Sequence, residues 1–74
     1  MEEQLKSLFA NILNIEKNKI NNDLKMGDIP NWDSLGHLNL ITGIEEEFNI
    51  FFSNEEILEL NSFKKFYDLL ITKI

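Results

Sequence analysis

The chain has 74 residues, 43 % of them hydrophobic and 27 % charged, which suits one small globular domain with a modest core and is too apolar for a disordered segment. It has no cysteine and a single histidine, His37, which excludes disulfides, thiolate chemistry and any multi-histidine metal site. Its net charge of −6, from thirteen acids and seven basic residues, argues against binding to nucleic acid or to anionic membranes.

Glu2 and Glu3 suit the positive end of a helix dipole, and Leu5, Leu8, Phe9, Ile12 and Leu13 recur at helical spacing. A first helix is predicted over about residues 2–13. Residues 14–33 hold Asn21, Asn22, Gly27, Pro30 and Asn31 and read as a long loop. Ile15, Ile20, Leu24, Met26, Ile29 and Trp32 can pin that loop to a core, and 16–20 can form a helical turn. Asp33 or Ser34 can cap a helix running to about Phe48. On its wheel Leu35, Leu38, Leu40, Ile41, Ile44 and Phe48 share one arc, which also contains His37 and Glu45, while Gly36 and Gly43 fall on the polar side. Ile50-Phe51-Phe52 is short and extended, and Ser53 with Glu56 has the spacing of a capping box before a short helix near 54–60. Asn61-Ser62 can cap a last helix whose apolar residues are Phe63, Phe66, Tyr67, Leu70, Ile71 and Ile74. The expected fold is all-α, a single domain over 1–74 built as a small antiparallel bundle of three main helices plus one short helix.

No apolar run exceeds three residues, so no membrane insertion is expected. Met1-Glu2-Glu3 is acidic where a secretory signal would be basic, so the expected location is cytoplasmic. Lysine without arginine and isoleucine without valine favour AT-rich codons and point to a low-GC bacterium. Charge is uneven: residues 33–60 hold seven acids and no lysine. Such a surface steers basic partners or simply keeps the chain in solution.

Few groups offer chemistry. Ser34 and His37 are three apart on a helix, beside Asp33, but no glycine-rich turn supplies an oxyanion hole for a hydrolase. Glu45, Glu46 and Glu47 diverge around a helix and do not converge on one metal ion. No catalytic residue and no metal site is expected, so the chain does not read as an enzyme. Ser34 lies at a helix start, where a phosphate-bearing group is favoured by free N–H groups and the dipole. By position alone a plain helix cap explains Ser34 better.

Asp33-Ser34-Leu35 followed by Ile44-Glu45-Glu46-Glu47-Phe48 resembles the acyl carrier protein family, and the likeness spans the whole chain. The family places a serine at the start of its second helix, about fourteen residues before that helix's terminal Phe. The resemblance implies that a phosphopantetheinyl transferase moves 4′-phosphopantetheine from coenzyme A onto Ser34, and that the thiol of this arm holds acyl cargo as a thioester. Asp33 and Leu35 match the motif positions beside the serine, Asp33 as cap and docking aid, Leu35 in core packing and partner contact. Glu45, Glu46 and Glu47 match the family's acidic partner surface, extended by Glu55, Glu56 and Glu59. The implied partners are the transferase, acyl- or aminoacyl-loading ligases, and acyltransferase or synthase enzymes with basic docking patches; a monomer is expected.

Ile44, Phe52, Ile57 and Leu60 match positions that can border a cargo pocket. The chain departs from carriers of housekeeping fatty-acid synthesis at Trp32, at Gly36, His37 and Asn39, and at Phe51-Phe52. Trp-Asp-Ser-Leu-Gly-His is similar to dedicated stand-alone carriers of specialised pathways, and to some carrier domains of polyketide or peptide synthesis. Acyl cargo is therefore expected, with an aminoacyl, D-alanyl or peptidyl carrier as the alternative and an unmodified acidic helical adaptor behind it. Bulky Phe52 suggests short or polar cargo.

Overall fold

A computed structural model describes the chain from Met1 to Ile74. Four helices follow in order: α1 (Glu2–Leu13), α2 (Ser34–Phe48), α3 (Asn54–Glu59) and α4 (Phe63–Lys73), with one 3-10 turn at Lys17–Lys19 between α1 and α2. The helix boundaries agree to within about a residue with those predicted from hydrophobic spacing and cap chemistry, and the turn falls inside the predicted 16–20. α1 buries Leu5, Phe9 and Leu13, and α2 buries Gly36, His37, Leu40, Ile41 and Ile44. α4 adds Phe63, Phe66 and Leu70, whereas α3 fully buries none of its residues. Asparagine ends both α1 and α2: Asn14 and Asn49 take left-handed backbone at φ 55, which asparagine tolerates better than most side chains.

The core is aromatic. Phe9 meets the rings of Trp32, Phe63 and Phe66 edge-on at 5.1 to 5.4 Å between centroids. Such pairs contribute about 0.5–1.5 kcal/mol each beyond their burial. Ile20, Leu24 and Trp32 from the long loop enter the same core. That is how twenty irregular residues stay ordered. The loop is also tied by its backbone: Met26 N–H donates to the Asn61 carbonyl and Phe63 N–H to the Leu24 carbonyl, both at 2.9 Å. Asn31 Nδ2 donates to the Leu13 carbonyl at the end of α1 at 2.7 Å.

Several apolar residues lie outside the core that their spacing suggested. Leu35 is 68 % exposed and Leu38 57 %, because no element covers the outer edge of α2's first two turns. Ile71 of α4 and Ile74 at the last position are exposed, and Met26 lies at the surface. Gly36 is buried, not on a polar face. A Cβ there would overlap the carbonyl oxygen of Asn31, so the loop crosses α2 where only glycine fits. A Cβ at Gly43 would instead press on Cδ1 of Ile12, the mobile end of a side chain.

These contacts separate the two glycines. Gly36→Ala forces backbone apart in a packed region and should cost about 2 kcal/mol in a urea titration, more than the helix propensity it gains. Gly43→Ala gains the same propensity against a side chain that can rotate, and should stay within about 1 kcal/mol of the parent.

α3 is fastened at its start by charge. Glu56 accepts the Ser53 N–H at 2.8 Å, completing the expected capping box, and pairs with Lys73 Nζ of α4 at 3.1 Å. The Ser53 N–H, then Lys73, hold its carboxyl below its ordinary value of 4.5. A folded-state pKa lowered in this way supplies stability that is present above 4.5 and lost as pH falls below it through the depressed value. Glu56→Gln should therefore show a shallower loss of unfolding midpoint than the parent across that acid window, as read by circular dichroism.

Candidate functional site

The start of α2 is prepared by the loop before it. Pro30 keeps Ile29 out of helical backbone, and Trp32 N–H closes a turn onto the Ile29 carbonyl at 3.2 Å. Asp33 is extended, with φ −105 and ψ −165, and its Oδ1 accepts the Gly36 N–H at 2.9 Å. Its carbonyl accepts the His37 N–H at 2.8 Å, so Asp33 is the cap and Ser34 is the first helical residue.

This settles what Ser34 does not do. The other two serines at helix starts are caps: Ser53 Oγ accepts the Glu56 N–H at 3.1 Å and Ser62 Oγ accepts the Lys65 N–H at 3.2 Å. Ser34 is exposed, one residue past a cap already supplied by a stronger acceptor. Its hydroxyl is left over from the helix's own bonding.

His37 lies one turn along and faces inward. Trp32 Nε1–H can only donate, so His37 Nδ1 accepts it, at 3.2 Å. Nε2 then carries the ring proton and donates to the Ile57 carbonyl at 3.0 Å. With both nitrogens engaged by Trp32 and Ile57, His37 is not placed as a general base for Ser34, and the geometry assembles no Ser-His pair.

Ser34 opens on a cleft of about 330 Å³ lined by Met26, His37, Leu38, Ile57, Leu58 and Leu60 among others. Leu58, 83 % exposed, and Leu38 form its outer apolar walls. Ser34 offers a hydroxyl free to be esterified, with open space and a helix N-terminus beside it, so the residues present fit a phosphate-linked arm.

The acidic surface divides into two groups. Glu46, Glu47, Glu55 and Glu59 are exposed. Glu45 and Glu56 are turned to structural work. Glu45 Oε2 accepts the Phe52 N–H at 2.8 Å, and Glu56 binds Ser53 and Lys73. The sequence pattern grouped all six and foresaw only the capping bond of Glu56 to Ser53; what it missed is the Phe52 N–H on Glu45 and Lys73 on Glu56. Leu35 is at the surface beside Ser34, free for contact with another protein and absent from the core.

No protein-family model matches the chain. It is 38 % identical over 73 residues to an acyl carrier protein of Buchnera aphidicola subsp. Schizaphis graminum, covering 99 % of this chain and 92 % of that one. An acyl carrier protein of Buchnera aphidicola subsp. Baizongia pistaciae is 34 % identical over 70 residues, covering 95 % and 90 %. Among solved structures, the holo acyl carrier protein of Geobacter metallireducens superposes with a TM-score of 0.87 at 28 % identity, covering 97 % of this chain and 83 % of that one. The holo acyl carrier protein NE2163 of Nitrosomonas europaea, at 22 % identity and a TM-score of 0.80, shares the fold over 96 % of this chain and 92 % of its own. Two independent kinds of likeness thus extend over nearly the whole length, and the chain belongs to the acyl carrier protein family.

Proposed function

We propose that Ser34 is the attachment point of 4′-phosphopantetheine and that the chain works as a stand-alone, monomeric, single-domain carrier in the cytoplasm. It holds acyl intermediates as thioesters for a specialised fatty-acyl, polyketide or related pathway. The observation that carries this reading is the exposed Ser34 hydroxyl, freed from capping by Asp33. When bound, the arm supplies the thiol that a cysteine-free chain lacks.

The attachment needs an outside catalyst. Ser34 Oγ must lose its proton and attack the phosphorus of coenzyme A next to the pantetheine. A new P–O bond forms as adenosine 3′,5′-bisphosphate leaves. Both ring nitrogens of His37 are engaged inward, so the imidazole is not placed to take that proton. Deprotonation falls to the transferase. The chain's own contribution is to present Ser34 rigidly, with Leu35 as an apolar contact and Glu46, Glu47, Glu55 and Glu59 as a field for basic patches on the transferase, loading ligase and synthase enzymes. Exposed charge pairs are individually weak, which suits repeated docking and release.

The test is the intact mass after incubation with coenzyme A, Mg²⁺ and a broad-specificity phosphopantetheinyl transferase. The expected result is a gain of one phosphopantetheine on the parent chain and none on Ser34→Ala. A folded parent that gains no mass, beside a known carrier that does, would favour an unmodified helical adaptor.

A further inference from the structure

α3 would be easy to displace on burial alone, since it fully buries none of its residues. It is held instead by named bonds. His37 Nε2–H reaches the Ile57 carbonyl in the middle of α3 at 3.0 Å, and Glu56 pairs with Lys73. Behind α3 lies a continuous layer of rings. His37 stacks on Trp32 at 6.4 Å, Phe66 meets His37 at 5.7 Å, and Phe52 meets Phe66 at 6.2 Å. Phe52 is itself clamped: its N–H donates to Glu45 of α2, and Lys73 Nζ lies over its ring at 5.9 Å. Space beside Ser34 is found on the outer side of this layer, in the open cleft walled by Leu38, Ile57 and Leu58.

We infer that His37 and Phe52 close the bundle interior to cargo, His37 as a latch on α3 and Phe52 as a plug beside Phe66, so that this carrier selects acyl groups which rest at the surface cleft: short or polar ones, not long saturated chains. The inference rests on the carrier reading of Ser34 and adds the cargo class. A long chain entering between α2 and α3 would have to part the His37 to Ile57 bond, separating the Nε2–H of a buried imidazole from its carbonyl partner. It would also have to displace rings already packed edge to face. A short or hydroxylated acyl group loses little by staying in the cleft, because it exposes little hydrocarbon to water.

The test uses the holo protein loaded with acetyl, butyryl, octanoyl and dodecanoyl groups, each verified by intact mass. Unfolding midpoints should coincide across the series, and the emission of Trp32, the only tryptophan, should not move with chain length. In Phe52→Ala and in His37→Leu the midpoints should climb with chain length, on the order of 5 °C from acetyl to dodecanoyl, as an opened interior takes the chain. A parent midpoint that climbs with chain length, or a Trp32 emission shift confined to the long chains, overturns the inference and leaves the carrier reading standing. A flat series in folded Phe52→Ala or His37→Leu overturns the role given to that residue. Should either variant not fold, the parent series decides alone. A parent chain that takes no arm overturns the carrier reading and this inference with it.

Discussion

One imidazole ring joins three parts of this molecule. His37 accepts a hydrogen bond from Trp32 Nε1–H in the long loop, donates one to the Ile57 carbonyl in α3, and is itself rooted in the first turn of α2. An indole N–H, an imidazole and a carbonyl would each be costly to bury alone, at roughly 1–3 kcal/mol for every unsatisfied group. Joined in series they leave no buried side-chain polar atom unpaired. The loop can then enter the core, α3 can sit against the bundle without burying a whole side chain, and α2 begins at a fixed place. Displacing His37 strands both the Trp32 N–H and the Ile57 carbonyl.

The fixed start of α2 determines what its serine can do. A serine at a helix start is ordinarily consumed by the helix, as Ser53 and Ser62 are. Placing Asp33 one residue earlier moves capping to a charged acceptor and turns Ser34 outward. Gly36 belongs to the same device, since its missing Cβ lets the Asn31 carbonyl lie over the helix just before that cap. Asp33, Ser34 and Gly36 thus make one local construction: a cap, a free hydroxyl, and room for the loop that delivers them.

Much of this was legible in the residues. Helical spacing located α1, α2 and α4, and the capping box of Ser53 and Glu56 located α3, because period and cap chemistry are local properties. The burial of Gly36, the exposure of Leu35 and Leu38, the internal use of Glu45 and the pairing of Glu56 with Lys73 were not. Each depends on what another segment does: the Asn31 carbonyl over Gly36, the uncovered edge of α2, the Phe52 N–H against Glu45 and Lys73 against Glu56. His37 shows the boundary most clearly. Its place on the apolar arc is written in the wheel, but the two partners that make an inward histidine tolerable come from residues five and twenty positions away.

The same division applies to the acidic face. A helix of six residues that fully buries none of them has little propensity or packing to hold it, so α3 owes its position to bonds at its start and its middle. Two glutamates of the acidic stretch are spent there or beside it, on Phe52 and on Lys73. The others remain exposed in a stretch without a single lysine, where they repel one another and attract a basic partner. Charge that is unfavourable within the chain is the kind that a basic surface would relieve, which is the physical ground for reading this face as a docking field.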